Sequence, residues 1–189
     1  MVDKNNSYTK MQLVYYNSQG DDPKKGMNKE NHSIHNKNDD YWNILVSDTK
    51  DLSFKNKIGL DFGCGCGRNI INLIERFRKF DGVDISPLLI LRTQENLNKI
   101  KINKDKYDLY TCNGVDLSVI NKTEYYDFIM STIVFQHICV YDIRFSYLKE
   151  FYRLLKPDGI LSFQMGYGRG HGKVEYHENK YNATETNSK

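Results

Sequence analysis

The sequence lacks the features that mark several large classes of protein. No apolar run approaches the roughly 20 residues that a membrane-spanning helix needs, and no apolar stretch typical of a signal peptide stands at the N-terminus. The net charge is only +3, and the basic residues form no stripe that would indicate nucleic acid or a membrane surface. We therefore expect a cytoplasmic protein that binds neither nucleic acid nor a membrane.

Cysteine is scarce as well. The four cysteines are Cys64, Cys66, Cys112 and Cys139, and the Cys64-x-Cys66 pair does not have the spacing of a zinc site. No second pair follows at a suitable distance, so no metal is expected. Small buried thiols in a reducing compartment explain all four residues.

Apolar residues are few at both ends of the chain. The length of 189 residues suits one domain with one core, and 39% of the residues are hydrophobic. Residues 1–38 are rich in Asn, Lys, Asp and Ser, which predicts a disordered leader. We assign the domain itself to residues 39–166. Residues 167–189 are again polar, and we expect them to be the truncated C-terminal part of the same domain.

The most informative feature is a set of three alternating glycines: Gly63, Gly65 and Gly67. They follow a buried strand predicted at residues 58–62, which contains Asp61, and they open a predicted helix at residues 68–77. A second apolar run, residues 80–84, ends in Asp84. A glycine loop followed by an acid at the end of the next strand is how α/β folds hold an adenosine-containing cofactor. A nicotinamide cofactor is disfavoured, because its fingerprint needs a third glycine where this chain has Arg and Ile.

Apolar runs of strand and helix character alternate along the rest of the domain. Further strands are predicted at residues 107–112, 126–134 and 160–165, and further helices at residues 86–100 and 141–155. This pattern predicts an α/β fold with a doubly wound, mostly parallel sheet and helices on both faces. In such sheets ligands lie at the carboxyl ends of the strands, where the glycine loop and Asp84 both fall.

The motifs together resemble those of class I S-adenosylmethionine-dependent methyltransferases, which have a Rossmann-like fold. Asp61 with its three glycines resembles the first motif of that family, and residues 82–86 resemble the second. The resemblance continues in the same order through residues 113–117, residues 126–131 and the turn at residues 154–159. It spans roughly residues 41–166. Motifs of enzymes that methylate adenine, glutamine or cytosine are missing, which favours a small-molecule acceptor.

The resemblance implies S-adenosylmethionine as the cofactor and proposes a set of residues that bind it: Asp61, Gly63, Gly65, Gly67, Asp84, Ile85, Asp116, Leu117 and Ser131. In this assignment Asp61 meets the methionine end, Asp84 the ribose hydroxyls and Asp116 the adenine side, although Asp116 fits an exposed turn equally well. His137 follows the fourth strand. Its ordinary pKa near 6.5 suits a general base, and packing against the next helix is the alternative role.

The resembling family continues beyond the fifth strand with a helix and an antiparallel strand pair, which we expect this chain to lack. The fifth strand would then be an exposed edge, and a homo-oligomer could form through it. The predicted activity is methyl transfer to an O or N atom of a small acceptor. Two alternatives stay open: a cofactor-binding protein without activity, and an aminopropyl transferase on the same scaffold.

Overall fold

A computed structural model describes residues 4–21, residue 46 and residues 53–165 of the chain. Five strands form one sheet: β1 (Ile58–Phe62), β2 (Lys79–Asp84), β3 (Leu109–Thr111), β4 (Tyr126–Ser131) and β5 (Leu155–Phe163). Within the described residues, four α-helices accompany them: α1 (Lys4–Asp21), α2 (Arg68–Leu73), α3 (Pro87–Lys99) and α4 (Tyr141–Leu154). Single 3-10 turns stand at Ile74–Arg76, Lys104–Lys106 and Phe135–His137.

The sheet is parallel throughout and its strand order is β3-β2-β1-β4-β5. The chain reverses its direction of travel across the sheet between β1 and β4, so their carboxyl ends form the switch point at which such folds bind ligands. The predicted Rossmann-like α/β fold is therefore confirmed. β5 lies at one edge of the sheet, and its pairing with a second copy stays a prediction.

Two apolar cores cover the two faces of the sheet, because neighbouring residues of a strand point to opposite sides. Phe62 and Val83 pack in the core that includes Phe151 of α4. Phe80 and Phe128 pack in the other core, against α2 and α3. All four phenylalanines are at most 3% exposed. Because both faces of the sheet are covered, the central strands β1, β2 and β4 are buried along nearly their whole length.

Several element boundaries differ from the predicted ones. β4 ends at Ser131, three residues early, because Ile133 takes a left-handed backbone angle (φ 60°) that ends strand geometry. β5 begins at Leu155 and runs through the predicted turn, where Asp158 also has a left-handed φ of 65° and the pairing with β4 shifts register. The described residues end soon after β5, so the predicted absence of a further strand pair lies outside them.

Residues 4–21 form helix α1, whereas the sequence predicted a disordered leader over residues 1–38. The face that α1 buries is made of Tyr8, Thr9 and Gln12, each at most 8% exposed, instead of Leu or Ile. Such a face gives no helical period in hydropathy. Residues 22–38 lie outside the described residues. Among the described helices, none has the length and apolarity to cross a membrane.

Helix α1 is attached to the rest of the fold by hydrogen bonds near both of its ends. The Tyr8 hydroxyl donates to the carbonyl oxygen of His137 at 2.7 Å and accepts from the amide of Cys139 at 3.1 Å. Near the other end, Arg92 of α3 donates to the carbonyl oxygen of Gly20 at 3.3 Å. The helix thus spans from α3 to the segment that follows β4.

Replacing Tyr8 with Phe should loosen α1, because the carbonyl of His137 and the amide of Cys139 would each lose a partner. We expect the free energy of unfolding to fall by about 1–2 kcal/mol and amide hydrogen exchange to accelerate in residues 4–21. Tyr152→Phe is the matched control, since Tyr152 is 86% exposed. Unchanged exchange in α1 would contradict this role of Tyr8.

Candidate functional site

A cavity of about 230 Å³ lies at the carboxyl edge of the sheet, beneath α1. Its sheet side includes Phe62, Gly63 and Asp84, and the segment after β4 contributes His137. Helix α1 contributes five side chains: Tyr8, Gln12, Tyr15, Tyr16 and Gln19. A ligand was predicted at this edge of the sheet, whereas the wall formed by α1 was not predicted.

The glycine loop needs glycine for two physical reasons. Gly63 and Gly67 have φ angles of 74° and 84°, in the left-handed region that other residues rarely adopt. A Cβ at Gly63 would stand 2.3 Å from Cγ2 of Val134, and one at Gly67 would stand 2.6 Å from Cγ2 of Thr93. Gly67 is also the N-cap of α2. Any side chain here would push apart β1, α3 and the segment after β4.

Asp84 joins the end of β2 to the glycine loop. Its Oδ2 accepts from the amide of Gly65 and its Oδ1 from the amide of Ser86, both at 2.9 Å. Burial raises the pKa of this carboxyl, and the amide hydrogen bonds oppose that rise. Each carboxylate oxygen can accept more than one hydrogen bond, and Asp84 lines the cavity, so it retains capacity for ligand hydroxyls.

Two polar residues of α3 hold the glycine loop from behind. The Thr93 hydroxyl donates to the carbonyl oxygen of Gly65 at 2.7 Å, and Nδ2 of Asn96 donates to that of Cys66 at 3.0 Å. Both side chains are buried. Neither residue was predicted from the sequence. A signal was present, since Thr93 and Asn96 interrupt the apolar face of an amphipathic helix beside Leu89 and Leu97.

Asp61 is fully buried next to the loop, and one of its oxygens is unsatisfied. Nδ2 of Asn69 lies 3.5 Å from Oδ1 of Asp61 and donates to the Thr132 hydroxyl at 2.9 Å. Oδ2 of Asp61 has no hydrogen-bond partner among the described residues. Burial raises the pKa of Asp61 to about 7. The hydrogen bond from Asn69 and the charge of Arg68 lower it, but by less than burial raises it. An unpaired buried carboxylate oxygen is costly, so it marks a place for a donor or a cation.

The segment after β4 carries strain beside the cavity. Ile133 is β-branched and has a φ of 60°, a conformation that costs of order 1–3 kcal/mol. The turn places Ile133, Val134 and His137 in the cavity wall. His137 is half-buried, and burial lowers the pKa of its imidazole, so the ring is neutral at pH 7. A neutral imidazole can accept a proton.

The predicted binding residues do not all reach the cavity. Asp84, Ile85 and Gly63 line it, whereas Gly65 and Gly67 support the loop from within. The remaining four are outside its lining: Asp61, Asp116, Leu117 and Ser131. Their predicted roles stay predictions.

The segment after β3 meets the cavity through other residues. Leu117 is fully buried in the core, and Asp116 accepts from the amide of Ser118 at 2.9 Å. Cys112 and Gly114 line the cavity in their place. Cys112, like Cys64 and Cys66, is a buried free thiol. No group of three His, Cys, Asp or Glu residues that could hold a metal occurs in the described part of the chain.

Comparisons with known proteins agree with this architecture. A family model described as a methyltransferase domain matches residues 60–161. A comparison with curated proteins gives no match.

Solved structures with the same fold include three described as methyltransferases of chemically different acceptors. A Galdieria sulphuraria protein described as a sarcosine dimethylglycine methyltransferase is 25% identical, with a TM-score of 0.55 over 66% of this chain and 45% of its own. Haemonchus contortus phosphoethanolamine N-methyltransferase 1, solved with phosphoethanolamine and S-adenosylhomocysteine, is 16% identical, with a TM-score of 0.63 over 85% and 32%. Streptomyces coelicolor geranyl diphosphate C-methyltransferase is 16% identical, with a TM-score of 0.59 over 82% and 64%. The chain spans less than two thirds of each.

Replacing Asp61 with Asn should change how stability depends on pH. Between about pH 4 and pH 7 the unfolded chain releases this proton while the folded chain keeps it, so the wild-type free energy of unfolding falls by up to about 1.4 kcal/mol per pH unit. The Asp61→Asn substitution removes this contribution. The stability of the variant relative to wild type should therefore grow across that window and level off above pH 7.

Urea unfolding at a series of pH values measures this difference. Asp105→Asn is the matched control, because Asp105 is an exposed acid away from the cavity. A difference between Asp61→Asn and wild type that does not vary with pH would show that Asp61 is already ionised when buried.

Proposed function

Because the chain belongs to the methyltransferase domain family, we propose that it transfers a methyl group from S-adenosylmethionine to an O or N atom of a small-molecule acceptor. One observation carries this proposal. The glycine loop lies at the switch point of the sheet, and Asp84, at the end of the next strand, accepts a hydrogen bond from its Gly65 amide. Two of the solved structures of this fold are methyltransferases in complex with S-adenosylhomocysteine.

The residues present suit the ribose, the adenine and the ammonium group of S-adenosylmethionine. Gly63 lines the cavity without a side chain, so a cofactor can approach its backbone directly. Asp84 and Ile85 face the cavity where the ribose and adenine would lie, and Gly114 would border the adenine. The unsatisfied Oδ2 of Asp61 suits the ammonium group of the methionine end, through water or directly. A cation beside Asp61 would favour the ionised carboxylate and so offset the effect of burial, which raises the pKa of Asp61.

When bound, the cofactor supplies a methyl group on an already activated sulfonium, so the protein mainly has to position the acceptor and exclude water. Helix α1 covers the cavity from the solvent side, and Tyr8 fixes it to the segment that carries His137. His137 is the group that would take a proton from the acceptor, since its imidazole lines the cavity in the neutral form.

The cofactor assignment is tested by calorimetric titration with S-adenosylmethionine and S-adenosylhomocysteine. We expect both to bind the wild-type protein, and Asp84→Asn to weaken binding by about tenfold or more, because a carboxylate that accepts from hydroxyls is lost. Thermal unfolding checks that the variant folds, and Asp105→Asn serves as the control for an exposed acid. Failure of wild type to bind either compound at millimolar concentration would overturn the proposal.

The role of His137 is tested by His137→Gln, which keeps a polar side chain but cannot hold the proton at neutral pH. We expect the transfer rate to fall by about 10²-fold or more with cofactor affinity unchanged. The acid limb of the wild-type rate profile should disappear in the variant. An unchanged rate would instead assign His137 to packing. Cofactor binding with no transfer to any acceptor would favour the alternative of an inactive binding protein.

A further inference from the structure

The wall of the cavity that α1 provides is aromatic. Tyr15 and Tyr16 both line it, with ring centroids 5.1 Å apart and ring planes at 82°. Two rings at nearly a right angle form the corner of a box, which is the geometry in which ring faces surround a cationic group. Tyr8 and Tyr147 also line the cavity.

The charged groups of the cavity favour the same kind of ligand. In the described part of the chain, its lining includes the carboxylate of Asp84 and no Lys or Arg. Phosphate and carboxylate groups are recognised mainly by Arg and Lys, so an anionic ligand would find no charged partner in this lining. His137 gives no positive charge either, because burial lowers its pKa.

Tyr16 lines the same cavity as Asp84 and His137. Burial raises the pKa of Tyr16, and the charge of Asp84 raises it further. In the proposed function Asp84 marks the nucleoside end of the cavity and His137 the acceptor end. A raised pKa keeps Tyr16 a neutral phenol, whose ring face attracts cations.

We propose, on the basis of the methyltransferase function proposed above, that the acceptor is a non-phosphorylated amine that enters as an ammonium ion and lies against the rings of Tyr15 and Tyr16. This deepens the proposed function by choosing nitrogen over oxygen. It also separates this chain from relatives of the same fold whose acceptors carry phosphate.

In the proposed reaction, His137 accepts the proton and the sulfur of the cofactor accepts the electron pair. The ammonium gives its proton to the neutral imidazole of His137, and the amine nitrogen then holds a free lone pair. That lone pair forms a bond to the methyl carbon, while the carbon–sulfur bond breaks and its electron pair stays on sulfur. A tertiary amine becomes a quaternary ammonium, which keeps its charge and its contact with the rings, and His137 returns its proton to solvent.

The test is calorimetric titration of the full chain saturated with S-adenosylhomocysteine. The probes are choline, its uncharged isostere 3,3-dimethylbutan-1-ol, and phosphocholine. We expect choline to bind about tenfold more tightly than the isostere, and phosphocholine to bind no more tightly than choline. Equal affinity of choline and the isostere, or tighter binding of phosphocholine, would overturn the inference.

Variants then assign the effect to the two rings. Tyr16→Leu and Tyr15→Leu should each weaken choline binding several-fold while the isostere is little affected, and Tyr16→Phe should keep the preference because the ring remains. Tyr152→Leu is the control, an exposed tyrosine on α4. If Tyr16→Leu weakens S-adenosylmethionine but not S-adenosylhomocysteine and leaves choline unchanged, the rings serve the sulfonium, which contradicts the inference.

The two proposals fail in different ways. No binding of S-adenosylhomocysteine would overturn the methyltransferase function, and choline and the isostere titrated alone would then still decide whether the cavity selects cations. Binding of S-adenosylhomocysteine without any preference for choline would leave the methyltransferase function standing and overturn only the amine acceptor.

Discussion

The carboxylate of Asp84 is the interaction on which the site depends. It accepts hydrogen bonds from the amides of Gly65 and Ser86, which follow two different strands. One side chain thereby fixes the loop after β1, the end of β2 and the start of α3. Thr93 completes the connection from the middle of α3 by donating to Gly65. Because these groups are buried, the loop has its shape before any ligand arrives, which lowers the cost of ordering it on binding.

Much of this arrangement could be predicted because it depends on local sequence. β1 was predicted with the bounds that the structure shows, since an apolar run bounded by polar and glycine residues has few alternatives. Ser86 and Pro87 indicated the start of α3, and the Ser86 hydroxyl does accept from the amide of Leu89 at 3.1 Å. The position of Asp84 beside the glycine loop followed from the parallel order of the strands.

The remaining features depend on contacts between distant parts of the chain. Helix α1 buries Tyr8 and Gln12, whose burial is decided by the cavity they line and not by a hydropathy period. The end of β4 was placed too late because Ile133 adopts a left-handed angle that β-branched residues avoid, so local propensity points the wrong way. Asn69 was missed for a similar reason, since only the folded sheet brings it between Asp61 and Thr132.

The bond from Tyr8 to the carbonyl of His137 joins positions 129 residues apart. During synthesis α1 leaves the ribosome long before the segment after β4, so the end of the helix that carries Tyr8 cannot be anchored until β4 and the turn beyond it have emerged. Closing so long a loop early would cost entropy without any contact to offset it. The wall that α1 adds to the cavity is therefore complete only once β4 and the turn beyond it are in place.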